Sequence, residues 1–220
     1  MIDDYPQAHR LKIEWNKKFS DSEFLHKYGG LPSNGIALPR CEGCSELYHL
    51  IFQIDLRDQT LDYLDIRNTD FIFVISCLNC ATYEKPIFYK LINRKEIFVL
   101  HASPSKYVNA YPTPLEEHQV SCRRLLEREY PSSEDGFFYD LPAKRGNHQL
   151  GGKPLWVQDE EHIECIECKS EMSFLAMIDT DLIIGQNGFR KLGHMFGDNG
   201  ILYVFVCREC GIFSSKAQGL

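Results

Sequence analysis

Eight of the nine cysteines fall into four Cys-x-x-Cys pairs: Cys41/Cys44, Cys77/Cys80, Cys165/Cys168 and Cys207/Cys210. Two intervening residues let the backbone curl so that both sulfurs of a pair point at one ion about 2.3 Å away. One pair supplies two ligands, so a closed tetrahedral site takes two pairs, and four pairs predict two four-thiolate sites. The pairs are separated by 32, 84 and 38 residues in turn. The long middle gap assigns Cys41, Cys44, Cys77 and Cys80 to one site and Cys165, Cys168, Cys207 and Cys210 to the other. Zinc is the expected metal, two ions per chain. A site closed by four thiolates keeps no position for substrate or water, so both ions are expected to be structural. Cys122 stands apart and is expected to be a small buried hydrophobe within a helix.

Disulfides, redox dithiols and iron–sulfur ligation compete with this reading. Disulfides need an oxidising compartment. The first residues, Met-Ile-Asp-Asp-Tyr-Pro, are acidic and lack the apolar stretch of a secretory signal, so a cytoplasmic location is expected. A redox Cys-x-x-Cys comes singly within a thioredoxin-like βαβ pattern, which this chain lacks. Other chemistry is sparse. Asp55 and Asp179 recur at matched places and suit acid–base work, but an Asp closing a buried strand more often caps a turn. His162 lies near Cys165 and His194 lies in the glycine-rich stretch, and either could replace a thiolate, yet four thiolates per half leave neither needed as a ligand. The glycines from Gly185 to Gly200 lack the Gly-Lys-Ser/Thr ending of a phosphate loop and read as a surface turn. No catalytic residue is assigned. Tyr83, Phe88, Tyr89, Phe98, Tyr107 and Tyr111, interleaved with Lys85, Lys90 and Lys95, offer either a binding face or one side of a core.

The elements that must position the cysteines repeat. The first half reads Gly29-Gly30-x-Pro32, Cys41-x-x-Cys44, Ile54-Asp55, then Phe73-Val74-Ile75 into Cys77-x-x-Cys80. The second reads Gly151-Gly152-x-Pro154, Cys165-x-x-Cys168, Ile178-Asp179, then Tyr203-Val204-Phe205 into Cys207-x-x-Cys210. In both, the Asp follows the second Cys by 11 residues, which points to an internal duplication. Apolar runs at 47–54 and 172–178 predict buried strands after the first knuckles. Runs at 71–76 and 201–206 predict strands into the second knuckles. Residues 87–91 and 97–101 predict a hairpin turning at Asn93-Arg94-Lys95. Helices are predicted over 4–19, from Ser20 or Asp21 to Tyr28, and from the Thr113-Pro114 cap to about Tyr130. Residues 131–149 read as a linker. The expected fold is a β-rich α+β protein. Its first zinc-clamped half covers 1–84, an inserted hairpin, helix and linker cover 85–147, and a second zinc-clamped half covers 148–220.

The formal net charge is −7, with 44% apolar residues. That balance opposes a nucleic-acid partner and suits a basic protein partner. No apolar run reaches the length of a membrane-spanning helix.

The second half resembles a known family. Leu150-Gly151-Gly152-x-Pro154-x-Trp156-x-Gln158, Cys165-x-x-Cys168, Phe174-Leu175-x-x-Ile178-Asp179 and Gly197-Asp198-x-Gly200-x-x-Tyr203-x-Phe205, closing at Cys207-x-x-Cys210, are similar to the YwqG-like family of bacterial proteins. This resemblance covers residues 148 to about 211. The duplicated Gly-Gly-x-Pro and cysteine pairs also resemble the programmed-cell-death-protein-two family of zinc-binding ribosomal-protein chaperones. The first resemblance implies a cytoplasmic immunity-type protein, and the second a chaperone for a basic client. Neither carries over a catalytic residue. The leading expectation is a non-enzymatic, zinc-stabilised protein that binds and neutralises a toxin, with client chaperoning as one alternative. A hydrolase or redox enzyme of unknown substrate is the alternative from another class.

Overall fold

A computed structural model describes residues 7–18, 25–80, 85–103, 111–125, 148–184, 190–194, 196 and 200–219. Four strands are apolar almost without interruption: β3 (His49–Asp55), β4 (Phe71–Ser76), β9 (Ser173–Asp179) and β12 (Ile201–Cys207). β3, β4 and β12 are buried along their whole length, as strands covered on both faces require. β1 (Ala8–Lys18) instead alternates. Leu11 and Ile13 are buried, while Lys12 between them is exposed. The remaining strands of the main sheet are β2 (Lys27–Tyr28), β5 (Ile87–Ile92), β6 (Glu96–His101), β7 (His118–Arg124), β8 (His148–Gly151) and β13 (Ile212–Gln218). β10 (Asp181–Ile184) and β11 (Arg190–His194) form a separate hairpin.

Eleven strands make one antiparallel sheet in the order β4-β3-β2-β7-β1-β8-β9-β12-β13-β5-β6. Read outward from the central β7–β1 pair, the two sides match. β2, β3 and β4 lie beyond β7, and β8, β9 and β12 lie beyond β1. The first strand of each side is exchanged. β1 pairs with β8, and β7 pairs with β2. The registers correspond as well, for His9 faces Leu150 and His118 faces Tyr28. Leu150 and Tyr28 each precede a Gly-Gly pair, so His9 and His118 occupy equivalent positions, as do His26 and His148.

The sheet curls back on itself. Tyr89 of β5 donates a hydrogen bond to the Phe73 carbonyl (3.0 Å), and Ser215 of β13 donates to the Ile75 carbonyl (3.3 Å). The main core fills the space thus enclosed. A second cluster, including Met177, Tyr203, Phe205 and Ile212, surrounds Cys165 and Cys207.

The expected α+β class is therefore corrected. The described residues hold no α-helix, only two 3-10 turns at Ser33–Gly35 and Gln59–Leu64. The segment expected as a helix over 4–19 is β1, whose alternation of Leu11, Ile13 and Trp15 with charged residues is a period-two pattern. The helix expected after Thr113-Pro114 is β7, because two partners, β1 and β2, take up its backbone groups. Of the short helix expected up to Tyr28, residues 19–24 lie outside the described residues, and Lys27–Tyr28 is strand. The hairpin forms as expected, with Asn93 and Arg94 both at positive φ (49° and 56°) in its turn. The predicted linker lies outside the described residues up to 147, and its last two residues begin β8. No helix among the described residues is long and apolar enough to cross a membrane.

Candidate metal centres

Strand register brings the cysteine pairs together. His49 at the start of β3 pairs with Ser76 at the end of β4, so the knuckle before β3 meets the knuckle after β4. Ser173 of β9 pairs with Val206 of β12 to the same effect. Each first knuckle is the tip of a small closed loop. Cys41 donates its N–H to the Glu46 carbonyl (2.8 Å) within the Arg40–Leu47 bridge. Cys165 donates to the Ser170 carbonyl (2.8 Å) within the Glu164–Glu171 bridge. After each of three knuckles the chain takes a left-handed residue: Ser45, Lys169 and Gly211, with φ of 64°, 64° and 65°. Their N–H groups return to the carbonyls of Cys41, Cys165 and Cys207.

The sulfurs of Cys41, Cys44, Cys77 and Cys80 all lie within 4.8 Å of one another, as do those of Cys165, Cys168, Cys207 and Cys210. Sulfur separations are 3.8 Å for Cys41–Cys80 and 3.6 Å for both Cys44–Cys77 and Cys168–Cys207. A tetrahedron with 2.3 Å metal–sulfur bonds has edges of about 3.8 Å. A disulfide would need about 2.05 Å. Both groups therefore have the donor set and spacing to hold a metal ion.

Their electrostatics agree. Cys41 is drawn down to about 5 by the hydrogen bond from Cys77, aided by the N–H groups of Cys44 and Gly43. The Ser170 N–H and hydroxyl draw Cys168 down to about 6. Burial and the charge on Cys41 push Cys80 up to about 12. Adjacent thiolates repel one another, and a divalent cation is what lets all four ionise together.

The remaining candidates are placed as follows. Asp55 is fully buried. Its carboxylate accepts the N–H groups of Leu25 (2.9 Å) and Arg57 (3.0 Å) and pairs with the Arg57 guanidinium. Burial would raise its pKa, but the bonds from Arg57 and Leu25 outweigh that and lower it. It closes a turn. Asp179 is also buried, and its carbonyl accepts a hydrogen bond from His194 Nε2 (2.9 Å). His162 is exposed and pairs with Glu171 rather than joining the thiolates. The glycine-rich stretch falls largely outside the described residues, apart from β11, Phe196 and Gly200. Of the aromatic face, Phe88 and Tyr89 are core, Phe98 is 49% exposed, and Tyr83 and Tyr107 lie outside the described residues.

The buried histidines carry no signal in a cysteine search. His26 and His148 each stand three residues before a repeated Gly-Gly, and that recurrence was the available clue. Each bonds an aspartate through Nε2: His26 to Asp58 (3.3 Å) and His148 to Asp181 (3.4 Å). His26, Asp58 and Cys122 gather within 4.8 Å beside a cavity of about 650 Å³ also lined by His9. The Asp55 N–H donates to His26 Nδ1 (3.1 Å), which leaves the proton on Nε2. His26 thus has no lone pair free for a metal. Asp58 accepts the Thr60 N–H (2.9 Å) and hydroxyl (2.7 Å), capping the second 3-10 turn. Burial and the charge of Asp58 push the Cys122 thiol up to about 12, which disfavours its thiolate form.

Comparison with known proteins adds one relative. Over 70 residues, 32% of its length, the chain is 31% identical to an uncharacterized protein, YpfL, of Salmonella typhimurium. The match spans 14% of that protein. No protein-family profile matches the chain, and no solved structure matches it.

Proposed function

We propose that both thiolate groups hold structural zinc and that the chain is a non-enzymatic protein-binding protein. An all-sulfur donor set at tetrahedral spacing favours zinc and leaves no open position for chemistry. The observation that carries the binding reading is the outer edge of β6. Ala37 bridges to its first residue, Glu96, and from Phe98 onward no strand lies beside it among the described residues. Phe98, 49% exposed, stands over a groove of about 310 Å³ lined by Leu38, Pro39, Tyr48 and Val99. An open edge beside such a groove, which Arg40, Glu42 and Glu96 also line, takes an extended peptide as an added strand. The net charge of −7 favours a basic partner, whose approach it would accelerate. Within this class we favour an immunity-type protein that neutralises a toxin, on the resemblance of residues 148–211 to the YwqG-like family. A cytoplasmic location belongs to the same proposal.

Capture from native cells on immobilised wild-type protein and on Phe98→Glu, both verified to carry two zinc ions, tests the reading. A basic toxin domain retained by wild type and lost by Phe98→Glu is the expected result. A ribosomal protein behaving the same way would replace the immunity reading with a chaperone. No partner sensitive to Phe98→Glu would overturn the proposed surface.

A further inference from the structure

The buried histidines divide into two groups by how their ring nitrogens are met. In one group the rings are engaged. His26 gives Nε2–H to Asp58 and accepts the Asp55 N–H at Nδ1, and His9 Nδ1 meets the Tyr63 hydroxyl at 3.1 Å. A second group, a row of rings that includes Tyr28, leaves polar atoms open. Five of the seven buried side-chain polar atoms without a partner among the described residues belong to it: both ring nitrogens of His118, Nδ1 of His148, Nδ1 of His194 and the Tyr28 hydroxyl. These side chains lie in one row of rings. Centroids are 5.7 Å apart for His148–His194, 5.5 Å for His194–Tyr28 and 6.3 Å for Tyr28–His118. His148 and His194 are wholly buried and His118 is 3% exposed.

The tautomers are fixed by hydrogen bonds. His148 commits Nε2–H to the Asp181 carboxylate (3.4 Å), and His194 commits Nε2–H to the Asp179 carbonyl (2.9 Å). Each ring therefore presents an Nδ1 lone pair with nothing to meet it. An imidazole whose other nitrogen is held by a carboxylate or carbonyl is how proteins orient metal-ligating histidines. Buried lone pairs left unmet are costly, and a cation would satisfy two at once. We infer that His148 and His194 ligate a first-row divalent cation through Nδ1, at a third metal site of imidazole type distinct from the thiolate groups. Asp181, bonded to His148, supplies compensating negative charge, and Tyr28 borders the site.

Protein carrying two zinc ions is dialysed against cobalt(II) and analysed for both metals. One cobalt per chain beside two zinc is expected. In the wild-type proton spectrum, paramagnetically shifted exchangeable N–H signals from two imidazoles should accompany it. His148→Ala and His194→Ala should each weaken cobalt binding about tenfold or more, while His162→Ala, which removes a surface imidazole, leaves it unchanged. A zinc count of two in each variant separates loss of this site from loss of the fold. Failure to retain cobalt in wild type, or equal retention in the His148 and His194 variants, would overturn the inference and leave the zinc reading untouched.

Discussion

On the proposed zinc assignment, Cys77 and Cys207 show what a single ligand does. Each follows or ends a strand of the buried sheet and contacts a cysteine from the knuckle that precedes the neighbouring strand. Structural zinc contributes an apparent binding energy of about 10–16 kcal/mol, as large as the whole stability of an ordinary domain. Cys77→Ser and Cys207→Ser should therefore each drop the zinc content from two to one and lose the folded state in mild denaturant. A variant that keeps two zinc ions would refute the ligand assignment. His49 acts at the same scale through pH. It is buried between Leu78, whose N–H it accepts (3.2 Å), and the Thr113 hydroxyl (3.1 Å). Burial lowers its pKa from 6.5 to about 4. The unfolded chain therefore binds the proton first as pH falls. The contribution of His49 is complete above about pH 6.5 and is lost progressively toward pH 4, about 3 kcal/mol over that window. Since acid also strips thiolate sites, the difference between wild type and His49→Gln isolates it. Urea midpoints of the two should converge as pH falls from 6.5 to 4; parallel curves would show that His49 does not titrate as argued.

At the scale of elements, the glycines after β2 separate two causes of strain. Gly29 and Gly35 share a left-handed backbone, with φ of 69° and 67°. A Cβ at Gly35 would meet open space, whereas one at Gly29 would fall 2.2 Å from the Glu116 carbonyl oxygen. Gly35→Ala should cost about 1 kcal/mol from backbone conformation alone. Gly29→Ala should cost at least about 1–3 kcal/mol more, because backbone must move. Equal midpoints for the two variants would mean that the close approach of β2 to residues 115–117 is not rigid. The same elements show what was legible in the chain. The strands entering the knuckles could be read, since Phe71–Ser76 and Ile201–Val206 are too apolar for anything but a covered strand. The thiolate groups could be read because their spacing is local chemistry. β1 and β7 could not be placed in the same way. Thr113-Pro114 and the spaced Leu115, Val120 and Leu125 suit a helix start, and only pairing with β2 and β1, from distant parts of the chain, makes the segment a strand. The histidine positions were hidden for a related reason. The equivalence of His9 and His118 appears only in register against Leu150 and Tyr28, which no local pattern encodes.

The whole molecule joins what the repeat would separate. Because β1 pairs with β8 and β7 with β2, the matched sides share their central strands, and neither can pair its backbone without the other. The closure of β13 and β5 onto β4, through Ser215 and Tyr89, adds a second seam between distant parts of the chain. Two zinc-clamped halves linked by a tether would melt separately. A sheet with exchanged strands should unfold as one unit, because opening either side exposes the unpaired edges of the other. The two tryptophans make this measurable. Trp15 of β1 packs edge-on against Tyr28 (5.2 Å) and His118 (5.0 Å), at the exchanged strands. Trp156 lies against Tyr203 (4.6 Å) in the cluster around the second thiolate group. Trp15→Phe leaves a fluorophore that reports only the second side, and Trp156→Phe leaves one that reports only the centre. With zinc held constant, the wild-type circular dichroism transition should coincide with the fluorescence transition of each variant, once each is corrected for its own stability by circular dichroism. Within each variant, fluorescence and circular dichroism should give one midpoint and one slope. A Trp156 signal that departs while the Trp15 signal persists would show that the second side opens alone, and that strand exchange does not couple the halves.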